Sequence, residues 1–518
     1  MARLALLSTS DKTGLVALAK RLVAEFDFEI ISSGGTARAL AAAEIPVTKV
    51  SDYTGLPEIL GGRVKTLHPR IHGGILARTD VAEDRQDLAE NDIRPFNLVV
   101  VNLYPFEQTI AQPDVPLSEA IEQIDIGGPT LLRAAAKNYA YLTVLCHPAQ
   151  YNAYLAELAQ AEQPSAAFRA GCARQAFWHT AGYDQAIAAY LTQQTDPESA
   201  APAESLPERY VLSGTQKQAL RYGENPHQAA VWYQSGDRGW ATAEQLQGKA
   251  LSYNNLVDLE AARRIIAEFP SDDGPAAAVL KHTNPCGVAV SDTLAQAYHR
   301  AFAADSVSAF GGIVALNQPI DAATAEALTQ TFLECVVAPG CTAEARDLLA
   351  AKKNLRVLLL PNLSDGPSHT VRSLAGGFLV QTSDDLIEAT NQWKIVTERQ
   401  PSEAELAEML FAWRVVKQVK SNAIVVSRDR ATLGIGAGQM NRVGSVKIAL
   451  AQAGDKAAGG TLASDGFFPF DDSVKTAAAA GISTVVQPGG SIRDADSVQA
   501  ANELGLVMAL TGTRHFLH

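Results

Sequence analysis

Two short segments rich in Gly, Ser and Thr have the composition of phosphate-binding turns. Residues 8–14 (Ser-Thr-Ser-Asp-Lys-Thr-Gly) follow the first apolar run, and residues 33–36 (Ser-Gly-Gly-Thr) follow the second. Each precedes a helical pattern, where free backbone N–H groups favour an anion. One such loop alone is more simply a capped helix start, but two at the ends of neighbouring strands favour a shared anion site. Neither segment matches the P-loop pattern, so NTP hydrolysis is not predicted.

Cationic side chains cluster in the same part of the chain. Residues 63–74 (Arg-Val-Lys-Thr-Leu-His-Pro-Arg-Ile-His-Gly-Gly) are predicted to form a shaped basic loop that ends in two glycines. A later helix opens at residues 125–129 (Asp-Ile-Gly-Gly-Pro) and carries Arg133 and Lys137 one turn apart on one face. This face could equally be an exposed basic surface. Residues 102–106 (Asn-Leu-Tyr-Pro-Phe) follow the end of a predicted strand, and these motifs together are far more specific than any one of them.

The strongest local signal in the second part is residues 281–287 (Lys-His-Thr-Asn-Pro-Cys-Gly). The segment ends an apolar strand and is predicted to enter a Pro-Gly turn, where α/β domains place reactive groups. A Lys-His pair at such a point is an acid/base candidate, although a single His is more often structural. Residues 434–438 (Gly-Ile-Gly-Ala-Gly) have the wrong spacing for a dinucleotide loop. The aromatic residues within 467–470 could be core or ligand contacts.

The elements that position these residues alternate between strands and helices. In the first part, strands are predicted at residues 4–7, 29–31, 98–101 and 142–145, with helices at 14–25, 36–43 and 129–138 and further helices from 149 to about 193. This alternation predicts a mostly parallel sheet covered by helices. Residues 196–207, rich in Pro, Ala, Ser and acids, are predicted to be a linker between domains 1–195 and 208–518.

The second part shows a weak internal sequence similarity. Strands are predicted at residues 277–281, 313–316, 336–338, 356–360, 423–426, 483–487 and 505–510. Residues 281–284 precede a Ser-Ala-Phe-Gly-Gly segment, and residues 420–422 precede a Ser-Asp-Gly-Phe-Phe segment. Two related α/β halves would explain this similarity, and the alternative is that it arises by chance.

Composition excludes several classes of protein. The formal net charge is −13 without a basic tract, which argues against nucleic acid as a partner. No apolar run is long enough to cross a membrane. The first residues are predicted to be a strand rather than a signal peptide. Five scattered cysteines without a C-x-x-C pair fit free thiols in a reducing compartment, so a cytoplasmic location is expected.

The motifs of the first part, in their order, resemble the IMP cyclohydrolase domain of the bifunctional purine biosynthesis enzymes, whose fold is similar to methylglyoxal synthase. The resemblance implies that the carboxamide nitrogen of formyl-AICAR attacks the formyl carbon and that water leaves. It implies Lys137 as the acid/base residue, with Lys65, Tyr104 and Asp125 around the reacting centre. A lysine base must be partly neutral, which burial near other cations would favour. Implied contacts to phosphate, ribose and base are Ser10, Lys12, Ser33, Gly34, Gly35, Thr36, Arg63, Thr66 and Asn102.

The second part resembles the AICAR transformylase domain of the same enzymes, from residues 220–228 to the final residues 514–518, with two halves similar to cytidine deaminase. The resemblance implies formyl transfer from 10-formyltetrahydrofolate to the amine of AICAR, with His282 as base, Lys281 at the departing folate nitrogen and Asn422 orienting the formyl oxygen. Implied AICAR contacts are Arg221, Tyr222, Gly311, Asn422, Arg442, Asp472, Arg514 and His518. Implied folate contacts are Val443, Phe467, Pro469, Phe470 and Ser491.

The resemblance also implies a homodimer with sites near its interface, small-molecule partners, and room for a structural potassium ion that nothing in the sequence itself indicates. No catalytic metal is expected, because the H-x-E and P-C-x-x-C zinc signature of the deaminases is absent. Glu334 stands near a position where some relatives carry Asp, and its role stays open. The alternative of a catalytically silent nucleotide sensor is disfavoured by the presence of Lys137, Lys281, His282 and Asn422.

Overall fold

The computed structural model of the chain describes residues 2–194, 206–386 and 389–518. The chain divides into two compact units, Met1–Ala203 and Glu204–His518. The predicted linker, residues 196–207, lies outside the described residues except for its last two positions. Within the described residues, no helix is long and apolar enough to cross a membrane.

The first unit is built on a five-stranded parallel sheet in the order β3-β2-β1-β4-β5. The strands are β1 (Arg3–Thr9), β2 (Phe28–Ser32), β3 (Thr48–Lys49), β4 (Leu98–Asn102) and β5 (Thr143–Leu145). The helices are α1 (Leu15–Phe26), α2 (Gly34–Ala42), α3 (Val50–Thr54), α4 (Pro69–Leu76), α5 (Ala82–Glu90), α6 (Phe106–Ile110), α7 (Leu117–Glu122), α8 (Gly127–Lys137), α9 (Tyr151–Gln160) and α10 (Ala166–Gln194).

The strand order of this unit determines where its loops meet. Strand β1 lies at the centre, and the chain crosses to β2 on one side and to β4 on the other, so the turns after these three strands share one edge of the sheet. The apolar runs of the strands are buried between helices, as the sequence predicts. The predicted glycine-ended loop at residues 63–74 is wrong in its second half, because Pro69 begins α4, where its fixed φ suits the first turn.

The second unit contains a twelve-stranded sheet and two separate hairpins. Its strands are β6 (Thr215–Leu220), β7 (Ala230–Gln234), β8 (Glu244–Gln247), β9 (Ala276–Lys281), β10 (Asn284–Val290), β11 (Ile313–Leu316), β12 (Cys335–Ala338), β13 (Arg356–Leu359), β14 (His369–Leu374), β15 (Gly377–Thr382), β16 (Lys394–Ile395), β17 (Ile424–Arg428), β18 (Ala431–Gly436), β19 (Thr461–Ser464), β20 (Thr484–Gln487) and β21 (Val507–Leu510). Its helices are α11 (Tyr253–Ala267), α12 (Leu294–Ala304), α13 (Ala322–Thr329), α14 (Ala343–Leu349), α15 (Glu403–Val416), α16 (Arg442–Ala453), α17 (Asp472–Ala479) and α18 (Asp494–Glu503).

Two halves of identical topology make up the large sheet. In each half an antiparallel hairpin (β9-β10 or β17-β18) is followed by three strands that run parallel to one another, in the spatial orders β10-β9-β11-β12-β13 and β18-β17-β19-β20-β21. The halves join where β10 pairs antiparallel with β18. Helices α11 and α15 pack into one common core, while the other helices of each half pack into separate cores. The internal similarity in the sequence therefore reflects a structural repeat.

Glycines in β10 and β18 allow helices to lie directly against the sheet. A Cβ on Gly287 would lie 2.1 Å from the Ala301 carbonyl oxygen of α12, and one on Gly434 would lie 2.0 Å from that of Ala449 in α16. The predicted Pro-Gly turn at residues 285–287 is therefore wrong: both residues belong to β10, and the glycine is needed for helix packing rather than for a turn.

Candidate active sites

A cleft of about 530 Å³ lies at the edge of the first sheet where β1, β2 and β4 end. Its walls come from the turns after those strands, from the segment before α4, and from the N-terminus of α8. The lining includes the predicted residues Ser10, Ser33, Thr36, Arg63, Lys65, Thr66, Asn102, Tyr104 and Asp125. The structure thus brings together segments that are more than a hundred residues apart in the chain.

Two side chains fasten the turns that form the floor of this cleft. The Thr36 hydroxyl accepts a hydrogen bond from the Thr9 N–H at 3.0 Å and donates one to the Thr9 carbonyl at 3.0 Å. The Asn102 side chain accepts from the Asp11 N–H at 2.8 Å and donates to the Asp11 carbonyl at 3.0 Å. Because the turns are fixed to one another, the N-terminus of α2 is held open to an anion beside them.

The charged groups of the cleft are arranged around Lys65 and Asp125. The Lys65 ammonium group lies beside Gly34, since a Cβ built on this glycine would be in ordinary contact with Lys65 Nζ at 3.5 Å, and the positive φ of Gly34, +53°, is what favours glycine there. Asp125 accepts a hydrogen bond from the Gly128 N–H at 2.8 Å. Burial raises the pKa of Asp125, against the opposing effect of its hydrogen bonds and of Lys65. Arg63 forms an exposed ion pair with Glu122 on the rim.

Four predicted residues of this site lie outside the cleft lining, one of them Gly34, which lies beside Lys65. The Lys12 ammonium donates to the carbonyls of Thr9 and Ser10, and burial lowers the pKa of Lys12. Gly35 lies in the first turn of α2. Lys137 ends α8 and is exposed, whereas Gly127, which begins this helix, lines the cleft. At 1.5 Å per residue the two ends of α8 are about 15 Å apart, so within one chain Lys137 is neither buried nor beside Lys65.

In the second unit, Lys281 ends β9 and His282 begins the turn of the β9-β10 hairpin. Lys281 pairs with Asn284, so the turn consists of His282 and Thr283, both with positive φ (52° and 63°). Such residues are strained by about 1–2 kcal/mol each when they carry a side chain. Lys281 Nζ donates to the Gly311 carbonyl at 2.9 Å, which links the hairpin to the predicted Ser-Ala-Phe-Gly-Gly segment.

Asn422 lines a second cleft, of about 430 Å³, with Ser421, Gly438, Gln439, Met440, Phe516 and His518. Its Nδ2 donates to the Gln439 carbonyl at 2.8 Å, and its Oδ1 accepts from Arg442 Nη2 at 2.8 Å. The amide therefore keeps one N–H for a ligand, and its oxygen is already occupied. Arg442 itself is buried in an ion pair with Asp465, so its role here is to orient Asn422.

Hydrogen bonds hold the C-terminal residues along this cleft. The Ser421 N–H donates to the Leu517 carbonyl at 2.9 Å, and the His515 N–H donates to the Asp465 carbonyl at 3.1 Å. His515 Nδ1 lies 2.6 Å from an Asp384 oxygen. Phe516 and His518 consequently line the cleft, while Arg514 is exposed and stacks on Phe516 at 4.7 Å.

The remaining predicted contacts are distributed over the surface of the second unit. Arg221 lies over the Tyr222 ring at 5.4 Å in the loop between β6 and β7. Phe467 and Phe470 are exposed, unlike Phe468 between them, which belongs to the core. The others lie as follows: Gly311 is buried beside Lys281, Val443 is half-buried in α16, Pro469 and Asp472 are exposed, and Ser491 is half-buried.

Three residues of this region were not predicted from the sequence. Asp258 accepts a hydrogen bond from the Thr283 N–H at 2.7 Å, and Asp465 is fully buried against Arg442. Glu334, whose role the sequence left open, accepts from Asn255 at 2.9 Å and lies 3.8 Å from Arg356. Asp465 belongs to the Ser-Asp-Gly-Phe-Phe segment and could have been suspected there. Asp258 lies within an ordinary helix pattern and gives no local signal.

Comparison with known proteins identifies the family of the chain. The family described as AICARFT/IMPCHase bienzyme matches residues 135–452, and the MGS-like domain family matches residues 14–130. Proteins named "Bifunctional purine biosynthesis protein PurH" from Nostoc punctiforme and Synechococcus elongatus are 68% and 67% identical over the whole of both chains. A solved structure, titled "Crystal structure of ForH", is 36% identical over 36% of this chain and 95% of its own, with a TM-score of 0.34.

The family match covers more than half of the chain, and the relatives match along its full length. The parallel sheet of the first unit is the MGS-like domain, and the expected fold class is confirmed. This chain belongs to the AICARFT/IMPCHase bienzyme family.

Proposed function

We propose that this chain carries out the last two steps of purine synthesis at two separate centres, with formyl transfer to AICAR in the second unit and ring closure to IMP in the first. Family membership supports the pair of reactions. The observation that supports the assignment of centres is that most of the first predicted set lines one cleft, around Lys65 and Asp125, whereas Asn422 and His518 of the second set line a cleft in the other unit.

The first cleft suits a phosphorylated imidazole. The N-termini of α2 and α8 and the Lys65 ammonium offer positive charge for a phosphate and for a developing oxyanion. Ring closure forms a bond from the carboxamide nitrogen to the formyl carbon and releases the formyl oxygen as water. In this proposal Lys65 stabilises the negative charge on that oxygen. Asp125, whose pKa is raised by burial, accepts or returns a proton beside it.

We also propose that the protein is a homodimer in which Lys137 of the partner subunit completes the first cleft. Lys137 carries the acid/base role that the family resemblance implies, yet it lies at the exposed end of α8 in its own chain. A second copy could bring this lysine to the cleft and bury it near Lys65, which would favour the neutral form that a base requires.

Complementation between two inactive variants tests this arrangement. Lys65→Met and Lys137→Leu should each abolish ring closure as homodimers. Co-expression should restore about a quarter of the activity, because random pairing gives half heterodimers with one of two clefts intact. The measurement is IMP formation from supplied formyl-AICAR in purified mixed dimers. A mixture as inactive as its parents, although heterodimers are present, would show that Lys137 acts within its own chain.

Formyl transfer is proposed at the β9-β10 hairpin and Asn422. The amine of AICAR attacks the formyl carbon of a folate-type donor, which we propose is 10-formyltetrahydrofolate, and His282 takes the amine proton. Lys281 gives a proton to the folate nitrogen as the bond from that nitrogen to the formyl carbon breaks. The free N–H of Asn422 donates to the formyl oxygen, where negative charge develops.

Substitution of the two proposed bases should separate the activities. His282→Ala should lower formyl transfer by about 10²–10⁴-fold, the usual contribution of a general base, while ring closure of supplied formyl-AICAR continues. Lys137→Leu should have the reverse effect, so that formyl-AICAR accumulates. Both rates are measured on protein whose circular dichroism matches the wild type. Equal loss of both activities in either variant would contradict two independent centres.

The chain end is proposed to bind AICAR, because Phe516 and His518 line the Asn422 cleft. A chain that stops after Thr513 should remain folded and close the ring, but bind AICAR poorly and transfer the formyl group slowly. Arg514→Lys should be milder, since the charge remains while the two parallel hydrogen bonds are lost. Steady-state kinetics for AICAR provide the measurement. Wild-type transfer by the shortened chain would show that the tail has no part in the site.

We further propose a cytoplasmic location, which suits the five free cysteine thiols. The proposed partners are small molecules, with neither nucleic acid nor membrane involved. Among the described residues, no group of three or more His, Cys, Asp and Glu side chains is placed to hold a metal ion, and none of the steps above uses one. A structural potassium ion remains a prediction from the family resemblance.

A further inference from the structure

Two hairpins of the second unit have turns with the same unfavourable backbone conformation. The β9-β10 turn consists of His282 and Thr283, and the β17-β18 turn consists of Asp429 and Arg430, all four with φ between 52° and 63°. In two-residue turns with positive φ at both positions, Asn and Asp are favoured at the first position and glycine at the second, because other side chains are strained there. Thr283 and Arg430 stand at the second positions in place of glycine, so another interaction must stabilise each turn.

The same interaction stabilises both turns. Helix α11 has its N-cap at Ser252, and Asp258 on this helix accepts a hydrogen bond from the Thr283 N–H at 2.7 Å. Helix α15 has its N-cap at Ser402, and Glu408, at the equivalent position, accepts from the Arg430 N–H at 2.6 Å. In each half, therefore, a half-buried carboxylate on the preceding helix binds the second N–H of the turn.

The two turns differ in what they carry. The first presents His282, next to Lys281, which reaches the Gly311 carbonyl. Burial raises the pKa of Asp258, against the lowering effects of the Thr283 hydrogen bond and of the neighbouring His282 and Lys281. The second turn presents Asp429 and Arg430, which no proposed step uses. The repeat therefore provides one hairpin with reactive groups and one without.

We propose that Asp258 is a positioning residue for formyl transfer. By binding the Thr283 N–H, Asp258 fixes the left-handed conformation of the turn. The fixed turn then directs His282, which lies next to Lys281, towards the substrate. Asp258 acts through the backbone of the hairpin rather than on the substrate. The proposal rests on the assignment of His282 as the base, and it predicts an effect on catalysis rather than on AICAR binding.

Variants of the two carboxylates test the proposal in the full-length enzyme. Asp258→Ala removes the acceptor and should lower kcat for formyl transfer about tenfold or more, as expected when a reacting group is misplaced by a fraction of an ångström to an ångström. KM for AICAR should change by less than about threefold, and ring closure should not change. Asp258→Asn keeps an acceptor oxygen at the same place and should recover most of the lost kcat.

Glu408→Ala is the control on the hairpin without reactive groups, because it removes the corresponding bond to the Arg430 N–H, together with the bond that Glu408 accepts from the Ser427 hydroxyl. It should lower thermal stability at least as much as Asp258→Ala and leave kcat for formyl transfer within about twofold of the wild type. Hydrogen exchange should accelerate at Thr283 in Asp258→Ala and not in Asp258→Asn.

Four results would overturn the proposal. Equal losses of formyl transfer in Asp258→Ala and Glu408→Ala would assign Asp258 a purely structural role. An Asp258→Asn variant as slow as Asp258→Ala would mean that the charge, not the hydrogen bond, matters. Wild-type kcat in Asp258→Ala, beside an inactive His282→Ala, would refute the positioning role alone. An active His282→Ala would instead remove the assignment of the base, and the proposal with it.

Discussion

The buried ion pair between Arg442 and Asp465 is the interaction on which the Asn422 cleft depends. Both side chains are almost completely removed from water. Asp465 also accepts from the Ala423 N–H at 3.1 Å, and its carbonyl accepts from His515 at 3.1 Å. Removing one partner of such a pair leaves an unpaired buried charge, at a cost of about 3–5 kcal/mol. The pair thus holds the amide of Asn422 and the end of the chain in one arrangement.

In the first unit, the cleft depends on the geometry of the parallel sheet rather than on an ion pair. Strands β2, β1 and β4 end at one edge, and the hydroxyl of Thr36 and the amide of Asn102 join the turns that follow them. The floor of the cleft is therefore rigid without any contribution from the substrate. Such preorganisation allows helix N-termini and Lys65 to stabilise developing charge without reorganising during the reaction.

Much of this arrangement could be predicted from the sequence, because local patterns dominate it. Short apolar runs give the strands of both units, and the turn residues after β1 and β2 lie at the first cleft, as the sequence predicts. The Pro285–Gly287 prediction failed because glycine has two uses, in turns and where a helix packs closely, and only the position of Ala301 distinguishes them. Lys137 and Asp258 show the other limit of prediction from sequence. No local pattern shows that Lys137 lies a helix length from the cleft, or that Asp258 binds the backbone of a distant segment.

The central claim is that neither activity needs the other kind of unit, and the activities of the separated units, each free to pair with a second copy of itself, test it most directly. Residues 1–197 should convert supplied formyl-AICAR to IMP without any folate. Residues 203–518 should form formyl-AICAR from AICAR and 10-formyltetrahydrofolate, and should form no IMP. If both fragments fold but neither is active until they are mixed, the two centres are not independent, and the account is contradicted.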